Sequence, residues 1–345
     1  MLKKIVKNKL GLFGLLFIVF LLTLSFLGYL ITPDSSPQAN EIHLEIALQK
    51  PGTEIQFLSF PNDKKGTSVI QKWISGDPNG QERIPVLKVR TPNQYVLFNK
   101  NGNEIWRTSD RSFSKENIIS KTFWLGTDRY GRDVLSRVII GARISLLVGF
   151  MSVLITLCIG TTLGLLSGYF GGWVDTAVLW LINVVWSLPS LLIAIAISFA
   201  FQEKGLYQVF LAIGLSMWVE LARIVRGQVL QIKEMEYIQA AKVLGFNDMR
   251  ILFKHILPNI IAPIIVVCTA NFASAILLEA GLSFLGLGVQ PPMPSWGSMI
   301  KEHYNYIVFD AAFLAIIPGF CIMILVMSFN FLGNALRDAL DVNLK

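Results

Sequence analysis

The chain has 345 residues, of which 53% are hydrophobic and only 15% carry a charged side chain. Its mean hydropathy is +0.55, and its apolar residues fall in long runs without charge. This composition excludes a wholly soluble enzyme and a disordered chain, and it is typical of a polytopic membrane protein. The formal net charge of +7 then indicates basic loops that orient the spans rather than a nucleic-acid-binding surface.

The first predicted element is a membrane-spanning helix from Leu10 to Ile31, a run of 22 residues without charge. A helix of that length extends about 33 Å, enough to cross a hydrocarbon core of about 30 Å. Four lysines precede it, as in a secretory signal peptide, but the apolar part exceeds the roughly 7 to 15 residues of such a signal. We therefore expect an uncleaved anchor.

Residues 32–120 differ sharply from this span, because Pro, Asn, Asp and Lys recur and the apolar runs stop. Alternating polar and apolar residues over Glu54–Phe60 and Ile84–Arg90 predict short strands. The pair Asn101-Gly102 accepts positive φ and predicts the turn of a β-hairpin. Its strands would be 95–98 and 104–106. We expect a water-exposed, β-containing insert without catalytic residues.

Five further uncharged runs predict five more spans and an all-α polytopic fold with six transmembrane helices, the insert lying between spans 1 and 2. The runs are Ile144–Val174, Thr176–Gln202, Gly205–Val219, Ile256–Leu278 and Ala311–Leu336. The third of these has only 15 residues, so it must extend into its flanks or be shielded by neighbouring helices. Residues 280–300 are also uncharged, but their glycines and prolines predict a loop or re-entrant segment packed on protein.

Basic residues in short loops predict the orientation, because they accumulate on the cytoplasmic side. Four lysines precede the first span, and six lysines and arginines lie in residues 223–258, between the fourth and fifth spans. Both segments and both termini should be cytoplasmic, and the insert should be external. The predicted domains are 1–31, 32–120 and 121–345, the last containing the cytoplasmic loop 223–258.

No pattern predicts a bound nucleotide, a metal or covalent catalysis. The chain has no Gly-Lys dipeptide and so no Walker A loop, and its spans carry no row of acidic or histidine side chains for a proton relay. Neither a Gly-x-Ser-x-Gly elbow nor a His-Glu-x-x-His motif occurs. The scattered cysteines and histidines predict neither disulfides nor a metal site. They are Cys158, Cys268, Cys321, His43, His255 and His303. We expect a non-enzymatic chain without a bound cofactor.

The most informative segment is the cytoplasmic stretch 236–258, which predicts two short helices. Gly245 can adopt the left-handed conformation that ends the first helix, and Asn247 can cap the second. The chain should leave helical geometry near Pro258, because a proline disfavours the helical conformation of the residue before it.

An apolar face on this stretch predicts a helix that docks in a partner's groove, and the small Ala240 and Ala241 would permit close approach. The face consists of Ile238, Leu244, Phe246, Met249 and Leu252. The alternative is an ordinary amphipathic loop that lies on the inner leaflet.

The stretch resembles the EAA loop of ABC importer permeases, in which Glu-Ala-Ala is followed by Gly and then by Leu-Pro. Ala240, Ala241, Gly245, Leu257 and Pro258 match that pattern. Two residues depart from it: Gln239 replaces a Glu that could pair with an ATPase, and His255 replaces an Ile. The resemblance implies that an ATPase is contacted by Glu236, Tyr237, Gln239, Ala240, Ala241, Gly245, Leu257 and Pro258.

A second segment, 125–146, resembles the signature before the second span in the C-type permease of dipeptide and oligopeptide importers. The matching residues are Gly126, Thr127, Asp128, Gly131, Arg132, Asp133, Arg137 and Arg143. Segments 278–297 and 336–341 also resemble these proteins. Because the arginines fall on the predicted external side, we expect an amphipathic helix along the membrane surface from which they snorkel. The charged residues Arg132, Asp133, Arg137 and Arg143 either dock a substrate-binding protein or steer peptide termini, or they form salt-bridged packing at the membrane surface.

The resemblance implies a permease subunit of an ATP-driven importer of di- or oligopeptides or related solutes in the bacterial inner membrane. It implies four partners: a homologous B-type permease, two ATP-binding subunits that use the ATP, and an external substrate-binding protein. Within the fifth span, Asn271 and Glu279 are candidates for the pathway, although an amide can tie helices together and a helix-end carboxylate can be solvated. The alternative functions are a membrane-anchored sensor or scaffold and a secondary carrier.

Overall fold

The computed structural model describes residues 8–60, 68–79, 82–91, 94–97, 106–108, 117–201 and 205–340. The chain divides into two compact units. The membrane unit comprises Met1–Leu21, Ser145–Gln290 and Phe320–Lys345, and the insert unit comprises Leu22–Ile144 and Pro291–Gly319.

Helices dominate the described residues. They are α1 (Lys9–Ile31), α2 (Val69–Ser75), α3 (Val134–Phe170), α4 (Gly172–Trp186), α5 (Ser190–Ala200), α6 (Leu206–Lys233), α7 (Glu236–Val243), α8 (Asp248–Arg250), α9 (Leu257–Phe284), α10 (Trp296–His303) and α11 (Phe313–Leu340). A π-helical turn, Ile251–Ile256, joins α8 to α9. Short 3-10 turns lie at Pro37–Ala39, Leu44–Ile46 and Tyr304–Val308.

Five of the described helical segments are long and apolar enough to cross a membrane, and a sixth crossing results if the bent pair α4 and α5 counts as one span. On that count the predicted six-span fold is confirmed. The span predicted over Thr176–Gln202 is broken into two helices, because α4 and α5 meet at 94°. Pro189 lies in the break, and proline has no N–H and disfavours helical geometry in the residue before it.

Two further segments differ in length from their uncharged runs. The uncharged run of the fourth span ends at Val219 and was predicted to extend into its flanks or to be shielded by neighbouring helices. The helix does extend: α6 has 28 residues in all, ends at Lys233 and carries Glu220 near its middle. The loop predicted over residues 280–300 is shorter than expected, since α9 reaches Phe284 and α10 begins at Trp296. Glycine content misplaced the ends of this loop, because neighbouring helices supply the shielding that an isolated helix would lack.

Within the membrane unit, α3 packs closely on α6 along glycines spaced four residues apart. A Cβ at Gly160 would lie 2.9 Å from the Trp218 carbonyl oxygen, and one at Gly164 would lie 2.7 Å from the Val225 Cβ. The same atom at Gly168 would lie 2.8 Å from the Val229 Cβ. Residues at i and i+4 share one helix face, so the missing side chains let the two backbones approach.

The insert unit contains a five-stranded antiparallel sheet in the order β4-β3-β2-β1-β5. The strands are β1 (Thr53–Phe60), β2 (Glu82–Thr91), β3 (Gln94–Leu97), β4 (Trp106–Thr108) and β5 (Ile118–Phe123). This confirms the predicted strands at Glu54–Phe60 and Ile84–Arg90. The predicted hairpin strands pair as β3 and β4, whereas the turn residues Asn101-Gly102 lie outside the described residues.

Candidate functional site

The stretch 236–258, here called the coupling loop, begins with α7. Apolar residues on one of its faces pack against the rest of the membrane unit. Ile238 and Ala241 are buried in a core cluster with Leu252 of the π turn and with residues of α3 and α6. The Tyr169 hydroxyl of α3 donates a 2.6 Å hydrogen bond to the Asp248 carboxylate. The loop is therefore attached to two membrane-spanning helices of its own chain.

Gly245 ends α7 as the sequence predicts. Its φ is +76°, and its amide donates to the Lys242 carbonyl at 2.9 Å while the Phe246 amide donates to the Ala241 carbonyl at 3.1 Å. This pair of bonds is the Schellman motif, which satisfies carbonyls at a helix end. The Asn247 side chain accepts from the Met249 amide at 3.0 Å, which confirms the predicted cap.

The prediction that the chain leaves helical geometry near Pro258 is wrong. The π turn runs directly into α9, and Pro258 lies in the first turn of α9, where an N–H has no helical partner to lose. Leu257 begins α9 and is half-buried, whereas Pro258 is exposed. The second helix of the loop is thus the start of a membrane-spanning helix.

The predicted apolar face of the loop is divided between two environments. Ile238 and Leu252 are buried within the chain, and Ala241, at 5% exposure, is also unavailable to a partner. The residues that do face outward are Tyr237, Ala240, Val243, Leu244, Met249 and Phe253. Among them Val243 and Leu244 are 88% and 72% exposed, a high value for apolar side chains.

The remaining polar residues of the loop have local roles. Gln239 donates through Nε2 to the Lys233 carbonyl at 2.9 Å, so it caps the end of α6. Tyr237 accepts a 3.3 Å hydrogen bond from the Asn259 amide, and Glu236 lies exposed in the first turn of α7. A carboxylate at that position is favoured by the helix dipole.

In the insert unit, the signature segment 125–146 packs against residues 43–50 near the beginning of the insert. The Thr127 hydroxyl donates to the Ile46 carbonyl at 2.5 Å and accepts from the Gln49 amide at 2.8 Å. Gly126 and Gly131 have φ of +75° and +73°, and a Cβ on either would clash with backbone atoms. The glycines of the signature are therefore explained by a close approach of two chain segments.

Three residues of the signature segment and two residues near the end of α10 form a buried charge cluster: Asp128, Arg132, Arg137, Glu302 and His303. Arg132 Nε lies 2.6 Å from the Asp128 carboxylate, and its Nη2 lies 2.8 Å from the Glu302 carboxylate. Arg137 lies 3.8 and 3.9 Å from the same two acids. Both arginine side chains are at most 4% exposed, so this is an ion-pair network inside the protein.

The expected surface helix with snorkelling arginines is wrong. Residues before Val134 form turns, and Arg132 and Arg137 point inward because acidic partners are available there. Arg143 instead donates to the Ile74 carbonyl at 3.0 Å, and the exposed Arg129 stacks on Tyr130. The ion pairs correspond to the salt-bridged alternative, and a role in docking a binding protein stays a prediction.

Burial changes the pKa of Asp133, which lies next to this network, and of His303, which belongs to it. Desolvation raises the pKa of the Asp133 carboxyl, although that group accepts hydrogen bonds from the Ser136 hydroxyl and amide. Desolvation lowers the pKa of His303, whose Nδ1 donates to the Met299 carbonyl at 2.8 Å. Ligand atoms of Asp128, Glu302 and His303 lie within 4.8 Å of one another, but the two carboxylates are already paired with two guanidinium groups, those of Arg132 and Arg137. The donor set therefore suits ion pairing better than a metal.

The two predicted pathway residues are both buried inside the membrane unit. Asn271 is 2% exposed, and Glu279 is fully buried and accepts a 2.8 Å hydrogen bond from Ser283 on the next turn of α9. Other residues of α9, among them Ser274, line a cavity of about 730 Å³ at the break between α4 and α5. Glu220 also lines it and was missed, although the 15-residue run that ends just before it was a usable signal.

The helical membrane unit, the outward apolar loop and the cavity at a broken helix define a multi-pass membrane permease without a catalytic constellation among the described residues. The family model of the binding-protein-dependent transport system inner membrane component matches residues 160–345. The chain belongs to this family of inner-membrane permeases.

Similar proteins are transport permeases. The chain is 45% identical over 226 residues to the glutathione transport system permease protein GsiD of Pectobacterium atrosepticum and to the dipeptide transport system permease protein DppC of Alkalihalophilus pseudofirmus. Each match covers 66% of this chain and 74% of the relative. The oligopeptide transport system permease protein OppC of Bacillus subtilis is 42% identical over 226 residues, which are 66% of this chain and 73% of that protein.

A solved structure also shares the fold. The inward-facing MetNI methionine ABC transporter matches with a TM-score of 0.50 at 19% identity, over 60% of this chain and 97% of that chain. At this identity the likeness supports the fold.

Proposed function

We propose that this permease is one subunit of an ATP-driven importer of di- or oligopeptides or related small solutes such as glutathione. Relatives at 42 to 45% identity are permeases for glutathione, dipeptides and oligopeptides, and they support this cargo class. The observation that supports the mechanism is that Val243 and Leu244 are exposed apolar residues on one face of the loop, whereas the opposite face is packed against the chain's own core.

The assembly that fits this chain contains a homologous B-type permease, two ATP-binding subunits and an external substrate-binding protein. ATP is used by those partner subunits. Both termini and the coupling loop lie on the cytoplasmic side, and the insert lies outside, which the distribution of basic residues supports.

The geometry of the loop explains how a push from an ATPase reaches the membrane. A displaced α7 carries Ile238 and Ala241, which are packed with core residues of α3, α6 and the π turn. Because the π turn continues directly into α9, movement of the loop also moves the beginning of a span. Closely packed helices transmit such movement as rigid bodies.

Leu244→Asp tests this proposal. A charge at this exposed position should leave the chain inserted, because the side chain makes little contact with its own protein, but should prevent docking of the ATPase. We expect loss of ATP-dependent peptide uptake and loss of co-purifying ATPase. Val308→Asp, at an 89% exposed apolar position of the insert unit, is the matched control.

Normal uptake and normal co-purification in Leu244→Asp would refute the coupling assignment. Uptake that survives ATP depletion but stops when the proton gradient collapses would indicate a secondary carrier instead. Ala241, predicted from sequence as a contact residue, is unsuitable for this test, because a bulky side chain there would disturb the loop's own core.

A further inference from the structure

Glu220 occupies an unusual position for a carboxylate. It is the fifteenth of the 28 residues of α6, about 21 Å from the start of the helix, and the 14 helical residues before it are uncharged. Its side chain is exposed, and no hydrogen bond or ion pair to it exists among the described residues. An ionisable group at such depth in a membrane-spanning helix is costly and is characteristically functional.

The cavity of about 730 Å³ into which Glu220 opens is built from three pieces of the membrane unit. The break between α4 and α5 supplies one wall, α6 the second and α9 the third. Hydroxyl-bearing residues come from all three, namely Ser187, Ser190, Ser216 and Ser274. Among the described residues of the lining, Glu220 is the single charged one, and a cavity of roughly 300 to 1,000 Å³ accommodates a small solute.

A nearby cation does not neutralise this carboxylate. Arg223 lies one turn further along α6, and its guanidinium stacks on the Trp186 ring with 3.4 Å between the guanidinium carbon and the ring centroid. A stacked guanidinium is held by the ring face. No ion pair within 4.0 Å joins Arg223 to Glu220 in the described part of the chain. The cavity therefore presents an unpaired negative charge among hydroxyl groups.

We propose that this cavity binds the ammonium group of a transported solute, with Glu220 as its counter-ion and the serine hydroxyls as hydrogen-bond acceptors. The inference rests on the proposed transport function and specifies the chemical class of cargo: small solutes with a free primary ammonium group. Such a group, stripped of water within the membrane, gains most from a fixed carboxylate.

A labelling experiment tests the counter-ion role without knowledge of the cargo. Ser274→Cys is placed in a background with Cys158, Cys268 and Cys321 changed to Ala, and the assembled importer is treated with methanethiosulfonate reagents. With Glu220 present, the aminoethyl reagent should react at least tenfold faster than the sulfonatoethyl reagent. With Glu220→Gln added, the two rates should come within about twofold. Asp310→Asn, an exposed acid of the insert unit, should leave the ratio unchanged.

An unchanged ratio in Glu220→Gln would overturn the proposal, and so would failure of both reagents to react, since another chain would then fill the cavity. ATP-dependent uptake of a dipeptide, of trialanine and of glutathione, measured in parallel, tests the function. If neither the wild-type importer nor the cysteine-free parent shows ATP-dependent uptake of a dipeptide, trialanine or glutathione, the proposed function fails whatever the labelling shows. If either protein imports one of them and its Glu220→Gln variant imports it equally well, the function stands and the ammonium site fails.

Discussion

Arg132 and Glu302 show what a single buried charge requires of its surroundings. Each contacts the other at 2.8 Å inside the insert unit, and Arg132 also contacts Asp128. Removing one member of such a pair leaves an uncompensated charge, which costs about 3 to 5 kcal/mol. We expect Arg132→Met to lower the melting temperature of the purified protein by several degrees. Arg129→Met, at an exposed position, should change it little.

The pairing itself is tested by a double-mutant cycle. If Glu302→Gln is combined with Arg132→Met, the loss should be clearly smaller than the sum of the two single losses, because the second substitution removes a charge that has already lost its partner. Strictly additive losses would show that the two groups do not interact.

His303 should make the stability of the insert unit depend on pH. Burial holds the pKa of His303 below its ordinary value of 6.5, with Asp128 and Glu302 opposing this shift and Arg132 adding to it. The unfolded chain then binds a proton before the folded chain does, so the stabilising contribution is present in full above pH 6.5 and is lost as pH falls below 6.5 and through the lower pKa of the folded state.

Melting curves between pH 8 and about pH 5 measure this effect, since the titration of an ordinary histidine falls in that window. His303→Gln should remove most of the fall in melting temperature near pH 6.5. An identical pH profile in the wild type and the variant would contradict the assignment to His303.

At the residue scale, local chemistry could be predicted from sequence and distant pairing could not. The positive φ of Gly245 and the cap at Asn247 follow from a few adjacent residues, and the structure has both. Arg132 was recognised as a candidate, but its partner Glu302 is 170 residues away and nothing local points to it. The inward direction of the arginines was missed for that reason.

The glycine face of α3 provides the clearest test at the element scale. A methyl group at Gly164 would lie 2.6 Å from the Ala222 carbonyl oxygen, whereas at Gly227 of α6 no atom lies within 4 Å. Gly164→Ala should destabilise the membrane unit by about 1 to 3 kcal/mol through overpacking. Gly227→Ala should stabilise α6 by about 0.5 to 1 kcal/mol, because alanine favours helix.

Thermal unfolding in detergent compares the two variants, which make the same chemical change. Opposite shifts of the melting temperature would confirm the packing argument. A Gly164→Ala variant as stable as the wild type would show that α3 and α6 are not held at the distance described here.

The ends of a helix could be predicted where hydropathy alone determines them. They were not predicted where tertiary packing determines them. The first span fits Leu10–Ile31 to within one residue. An uncharged run in lipid must satisfy its backbone hydrogen bonds internally, and a helix does so. The fourth span extends beyond its uncharged run as predicted, but the end of the coupling loop was misplaced. A π turn and a proline in the first turn of α9 keep the chain helical where sequence rules predict a stop.

At the scale of the whole molecule, composition predicts the number of crossings well and their shape poorly. Six uncharged runs predict six spans, yet one of them folds into two helices that meet at 94° and creates the cavity beside Glu220. The break was not predicted, because Pro189 can equally well kink a continuous helix. Family membership is shown by the family model that matches residues 160–345, a range that includes the coupling loop.

The central claim is that an ATPase binds the exposed face of the coupling loop. A photoreactive benzoylphenylalanine at Val243, which is 88% exposed, tests it most directly in the assembled complex, with the same group at Trp124 of the insert unit, 67% exposed, as the control. Irradiation should capture an ATP-binding subunit from position 243 and none from position 124. Capture of the external binding protein from position 243, or no ATPase adduct there, would contradict the account.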